Sequence, residues 1–60
     1  MYVIRNIDNG KFVADMSKSR DGQSYTRDLL QAKIFREEAE AKANVCPGNE
    51  HVVRVEKLLR

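Results

Sequence analysis

Few residues of this chain could perform acid–base or nucleophilic chemistry. Its one histidine, His51, follows Glu50, and a carboxylate can orient a histidine for general-base catalysis. Adjacent side chains of a strand point to opposite faces, however, so we do not expect these two groups to meet. Cys46 is the only cysteine, and it follows a predicted helix whose negative C-terminal end disfavours a thiolate. The sequence therefore predicts a protein that is not an enzyme and that has no catalytic residues, metal ligands or cofactor.

A short acidic run, Glu37, Glu38 and Glu40, could imitate the charge of a nucleic acid on the surface of a partner. Arg36 precedes these carboxylates and Lys42 follows them, and both cations cancel part of their field. The simpler interpretation is a solvated helix face. We therefore leave the acidic run out of the candidate site.

Cations near the middle of the chain could recognise phosphate groups. Lys18, Arg20 and Arg27 lie close in sequence, and Tyr25 among them could stack on a base. The alternative is that these side chains only keep a polar loop in solution. We include all four residues in the candidate partner-binding set.

The length and net charge of the chain limit the kind of domain that can hold these candidate residues. The chain has 60 residues and a net charge of +2, which predicts a single domain over 1–60. A domain of this size buries only about 60% of its unfolded surface, so a bound partner or a second copy would supply missing contacts. The single cysteine cannot form an intramolecular disulfide, and no apolar run approaches the length of a membrane span. We expect a soluble protein of the cytoplasm.

The strongest local signal is Asn9-Gly10, which predicts a hairpin between apolar strands at 2–7 and 12–16. A two-residue type I′ turn would place Ile7 opposite Phe12, whereas a three-residue turn with a glycine bulge would shift the pairing by one residue. In both registers one face carries the apolar side chains of the second strand. We assign that face to the core: Phe12, Ala14 and Met16.

The opposite face of the hairpin keeps three apolar side chains in either register. They are Tyr2, Ile4 and Val13 in the first register, and Val3, Ile7 and Val13 in the second. Such a cluster on so small a protein suggests contact with another chain, including a homodimer through the sheet. The alternative is partial cover by Leu58 and Leu59. We predict that Tyr2, Ile4 and Val13 bind a partner.

The remaining pattern predicts a polar loop over 17–24, a helix begun by Thr26 as N-cap, and a last strand after the Pro47-Gly48 break. Residues 27–44 fit either one helix or two, the second alternative having an extended piece at 33–35 and its main helix at about 36–45. The predicted class is α+β, with a small antiparallel sheet, formed by an N-terminal β-hairpin and a C-terminal strand, packed against one main α-helix.

About half of the chain resembles small phage and prophage proteins. The segments that carry this resemblance are Tyr25–Leu29, Ala32, Phe35, Glu37–Glu40 and Val52–Glu56. The resemblance implies a protein that binds host machinery in the host cytosol and blocks it, as anti-CRISPR and other anti-defence proteins do. We expect the partner to be a host protein or protein complex.

Two segments, Gly10–Phe12 and Phe35–Ala41, resemble the arm-type DNA-binding domain of tyrosine integrases, which is a three-stranded sheet followed by a helix. The chain departs from that family in having Phe12 where the family often has tryptophan. It also lacks the usual Thr-Lys before the acidic helix and has an extra strand at its C-terminal end. This resemblance implies a sheet that binds DNA. The weak charge asymmetry favours a protein partner, because phosphate neutralisation supplies most of the affinity for DNA.

Overall fold

The protein folds into one antiparallel sheet with a short helix on one side, and the structure, a computed structural model, describes residues 1–18, 22 and 24–59. The strands are β1 (Tyr2–Asn6), β2 (Phe12–Val13), β3 (Tyr25–Thr26) and β4 (Glu50–Arg54), in the order β3-β2-β1-β4. The α-helix of this part of the chain is α1 (Glu38–Ala43), and 3-10 turns span Leu29–Gln31 and Val55–Lys57. The predicted α+β class, with an N-terminal hairpin and a C-terminal strand, is confirmed.

The turn of the hairpin differs from both predicted turns, because four residues, Ile7–Gly10, lie outside the ladder. The N–H of Asn6 donates to the carbonyl of Lys11 at 2.7 Å, and the carbonyl of Asn6 accepts from the N–H of Gly10 at 2.9 Å. Among the described residues only glycines have positive φ, whereas a type I′ turn needs positive φ at Asn9 as well. The side chain of Asn6 explains the longer loop, since its Oδ1 accepts from the N–H groups of Asp8 and Asn9 at 2.9 and 3.2 Å.

This loop places Arg5 opposite Phe12, whereas the predicted type I′ turn would place Ile7 there. A shift of two residues leaves each side chain on the face that the type I′ register predicts. The helix, however, covers the face that we predicted to be open. Ile4, Phe35 and Ala41 form the buried cluster, and four half-buried residues pack against it: Tyr2, Val13, Val45 and Val52.

The assignment of the core to the Phe12, Ala14 and Met16 face is therefore wrong for two of the three residues. Ala14 is buried, but Phe12 is half-buried and Met16 is 61% exposed. The physical reason is a contact between distant parts of the chain. The backbone of Phe35 exchanges two hydrogen bonds of 2.8 Å with Tyr2, so Phe35 lies on the Tyr2 face, and α1 follows it there.

Residues 27–44 follow the second of the two predicted alternatives. A 3-10 turn at Leu29–Gln31 precedes an extended piece, whose ends bridge Ala14 through Ala32 and Tyr2 through Phe35. The N-cap of the 3-10 turn is Asp28, whose Oδ1 accepts from the N–H of Leu30 at 2.9 Å, rather than the predicted Thr26. The extended piece pairs with Tyr2 at the start of β1 and with Ala14 just after β2. Because α1 follows directly, the helix packs on the face of the sheet that contains Ile4.

Candidate functional site

The face of the sheet that α1 does not cover is the candidate site, and we call it the open face. Strand pairing aligns Val3 with Val53, Arg5 with His51 and Phe12, and Ala14 with Ala32. Paired residues lie on the same side of an antiparallel sheet, and alternate residues of a strand share a face. The open face therefore consists of Val3, Arg5, Phe12, Ala14, Thr26, Ala32, Ile34, His51 and Val53.

The open face has a buried centre and a half-buried surround. Val3 and Ala32 are fully buried and Ala14 is 5% exposed. The larger apolar residues Phe12 and Val53 are half-buried, although no α-helix of the described residues packs over them. Half-buried apolar side chains on a helix-free sheet give a surface that another molecule can cover.

Arg5 lies on this apolar face, and no carboxylate of the described residues forms an ion pair with it. Its guanidinium carbon is 5.9 Å from the centroid of the Phe12 ring, a cation–π distance, and its Nε donates to the carbonyl of Gly10 at 3.1 Å. These contacts hold a half-buried guanidinium near the surface, where part of it remains hydrated. His51, which pairs with Arg5, is exposed. The strand residues of the open face include these two basic side chains and no acidic one.

The opposite, helix-covered face contains a buried carboxylate at the start of β4. Glu50 is 9% exposed, and its Oε2 accepts a hydrogen bond from the hydroxyl of Tyr25. Its Oε1 accepts from the backbone N–H of Cys46 at 3.0 Å. The bond to Glu50 raises the pKa of Tyr25, and a weaker opposing contribution comes from Asn6. Both carboxylate oxygens of Glu50 therefore have donors. The bond from Tyr25 links β3 to β4, and the bond from Cys46 links the loop after α1 to β4.

A shallow depression of about 460 Å³ lies beside this pair, and its lining includes Val13, Val45 and Cys46. Its lining also includes Tyr25 and Glu50, and the Glu50 carboxylate is already engaged by the Tyr25 hydroxyl and the Cys46 N–H. Glu50 and His51 lie on opposite faces of the sheet, as strand alternation predicts. The histidine is therefore not oriented by the adjacent carboxylate.

The structure places the predicted apolar contact residues under the helix. Ile4 is 1% exposed, and Tyr2 and Val13 pack against the buried cluster. The prediction that these three side chains lie on an uncovered face is wrong, because Phe35 and α1 cover them. The apolar residues that face outward, Phe12 and Val53, were missed as site residues.

Three of the four predicted loop residues lie in the part of the chain that the structure describes: Lys18, Tyr25 and Arg27. Lys18 is exposed, and its Nζ lies 4.0 Å from Oδ2 of Asp15. Arg27 is also exposed, whereas the hydroxyl of Tyr25 donates to Glu50. Arg20 lies outside the described residues. The hydroxyl of Tyr25 therefore joins β3 to β4 through Glu50.

The fold and this geometry define a small α+β protein with a four-stranded antiparallel sheet, and α1 packs on one face of that sheet. No protein-family model matches the chain, and neither the curated proteins nor the solved structures contain a match. Within the described residues, no helix has the length and apolar character that crossing a membrane requires.

Proposed function

We propose that this protein acts without catalysis, as a small binding protein whose open face contacts a protein partner and obstructs it. The resemblance to small phage and prophage proteins supports a phage or mobile-element origin and a host protein or complex in the cytoplasm as the target, in the manner of anti-CRISPR and other anti-defence proteins. The observation that carries the proposal is the half-buried apolar surround of the open face, which has no covering helix.

The composition of the open face favours a protein partner. Its outward residues combine an aromatic ring, an aliphatic side chain and a guanidinium, at Phe12, Val53 and Arg5. Aromatic residues and arginine are enriched among the residues that contribute most to protein–protein affinity. Arg5 is also held in place by Gly10 and Phe12 before binding, which reduces the entropy that binding would cost.

The test begins with the wild-type chain as bait in a host lysate, followed by mass spectrometry and purification of the captured protein. Its affinity is then measured by titration calorimetry for wild type, Val53→Glu and His51→Glu. His51 is exposed, so its replacement leaves the fold intact even if Val53→Glu does not. Ala39→Glu on the exposed side of α1 is the matched control, because it adds the same charge to the helix.

We expect each variant of the open face to weaken binding about tenfold or more, in line with the loss of a central interface residue. Ala39→Glu should bind as wild type does. Equal binding by all four proteins, or loss of binding in Ala39→Glu alone, would contradict the proposal.

The alternative function is a DNA-binding module that uses the same sheet, as integrase arm-type domains do. The specific observation in its favour is the pairing of Arg5 with His51 on a set of strand residues without carboxylates. This function predicts a duplex complex that weakens steeply between two salt concentrations in a mobility-shift titration. Absence of a complex at the lower salt concentration would exclude it.

A further inference from the structure

Arg5 has more hydrogen-bond donors than the described residues satisfy. A guanidinium has five N–H donors and no acceptor. The Nε of Arg5 donates to the carbonyl of Gly10 at 3.1 Å, and the described residues give this side chain no other hydrogen bond and no ion pair within 4.0 Å. The Phe12 ring takes up one side of the group. The N–H groups of Nη1 and Nη2 on this half-buried side chain therefore depend on water.

Carboxylates elsewhere in the described residues have donors or cations of their own. They form hydrogen bonds or ion pairs with neighbouring groups, at Asp15 (Ser17), Asp28 (Leu30), Glu38 (Lys42), Glu50 (Tyr25 and Cys46) and Glu56 (the terminal amine). The strand residues of the open face include no acid. The opposite charge that Arg5 lacks is therefore one that another molecule can bring.

The surroundings of Arg5 combine a further donor with apolar side chains. His51 is paired with Arg5 across β1 and β4 and is exposed, so its ring can present an N–H next to the guanidinium. Phe12 and Val53 are half-buried on the same face. A ligand that fits this arrangement has a negative charge at its centre and apolar groups beside it.

From this arrangement we propose that the partner of the open face presents an acidic side chain, aspartate or glutamate with apolar neighbours, to the guanidinium of Arg5. The inference rests on the function proposed above and names the chemistry of its protein partner. A partner that covers Arg5 removes water from the N–H groups of Nη1 and Nη2, and a buried charge without acceptors is costly. A carboxylate can accept from both nitrogens at once, which makes it the acceptor that best offsets this cost.

The same observations favour a protein carboxylate over the phosphate of a nucleic acid. The net charge of the chain is only +2, whereas affinity for duplex DNA comes largely from neutralising several phosphates. The half-buried side chain of Val53 can cover an apolar neighbour of the acid but gives no hydrogen bond to a phosphate or a sugar. Binding to nucleic acid is therefore an outcome that the test must be able to detect.

The test begins with random peptides of about 12 residues, displayed on phage and selected on the immobilised wild-type chain. We expect the enriched peptides to share an aspartate or glutamate beside apolar residues. One enriched peptide is then synthesised with its acid and with the corresponding amide, and both are titrated into the wild-type chain by calorimetry. The amide form should bind about tenfold or more weakly, because it carries no charge to pair with the guanidinium. Equal affinities, or a selection that yields no acidic peptide, would overturn the proposal.

Substitutions then locate the acid on the sheet. Arg5→Gln should weaken the acidic peptide about tenfold or more and should remove most of the difference between the acid and amide forms. Lys42→Gln is the matched control, since it removes the same charge from an exposed position of α1, and it should bind as wild type does. Circular dichroism shows whether the Arg5 variant is folded. If it is not, the acid–amide comparison on the wild-type chain still decides the proposal.

The failure of this inference can be distinguished from the failure of the proposed function. Enriched peptides without an acid that lose affinity for Val53→Glu would overturn the inference and leave the open face as a binding site. Peptides that neither Arg5→Gln nor Val53→Glu weakens would bind elsewhere and would count against both. Duplex DNA that binds the wild-type chain but not Arg5→Gln would identify phosphate as the ligand and would also overturn the inference.

Discussion

The two faces of the sheet use similar strand residues, yet α1 packs on only one of them. The helix-covered face buries Ile4 and Phe35 beneath α1 and fixes its far end with the Tyr25–Glu50 bond. The open face buries only small or medium residues at its centre and leaves Phe12 half-buried. The difference shows that alternation along a strand divides side chains between faces, whereas a contact between distant residues decides which face the helix covers.

The largest expected difference between the two faces is in the stability lost when one phenylalanine on each is replaced by alanine. Phe35→Ala removes a ring that is 2% exposed, and we expect a loss of about 3–5 kcal/mol in the free energy of unfolding. Phe12→Ala removes a half-buried ring and should cost less than half as much. Urea unfolding followed by circular dichroism measures both. Equal costs would contradict the assignment of the helix to the Phe35 face.

A smaller loss is expected from Tyr25→Phe, which removes a donor from the buried carboxylate of Glu50. A buried acceptor that loses its partner is destabilising. The melting temperature should fall, though by less than in Phe35→Ala. The control is Tyr2→Phe, because the hydroxyl of Tyr2 has no hydrogen-bond partner among the described residues. A Tyr25 variant as stable as the Tyr2 variant would show that the Glu50 contact does not stabilise this face.

On the open face, Gly10→Ala tests how the hairpin holds Arg5. Gly10 has φ of +72°, and a Cβ there would lie 3.3 Å from Nη2 of Arg5. We expect a cost of about 1–2 kcal/mol from the positive φ alone. Gly48→Ala is the matched control, with φ of +87° and open space around the added atom. Thermal unfolding should show the Gly10 variant to be the less stable of the two, and the reverse order would contradict the Arg5 contact.

The smallest effect concerns Asp15, just after the short strand β2. The hydroxyl and the N–H of Ser17 donate to its carboxylate at 2.7 and 3.0 Å and lower its pKa below the ordinary 3.8. The carboxylate of Asp15 therefore binds a proton more readily in the unfolded chain than in the folded one. Its contribution to the free energy of unfolding is present above the ordinary pKa and is lost as the pH falls through the pKa of the folded state. Asp15→Asn should flatten the acid side of a stability–pH curve slightly. An unchanged curve would contradict the Ser17 contacts.

Local signals in the sequence were enough to predict the hairpin, the last strand and a helix after Phe35. The turn at Asn9-Gly10 was located correctly, but its length depends on the side chain of Asn6, which accepts two backbone bonds. The site was predicted less well than the fold. Strand alternation grouped Tyr2, Ile4 and Val13 correctly, but their cover comes from the pairing of Tyr2 with Phe35, and no local pattern encodes that pairing.

The most direct test of the open face is nuclear magnetic resonance with a soluble paramagnetic probe, which broadens the signals of side chains that it can approach. We expect strong broadening for the side chains of Phe12 and Val53 and little for those of Ile4 and Phe35. Strong broadening of Ile4 and Phe35, with Phe12 and Val53 spared, would show instead that α1 covers the Phe12 face.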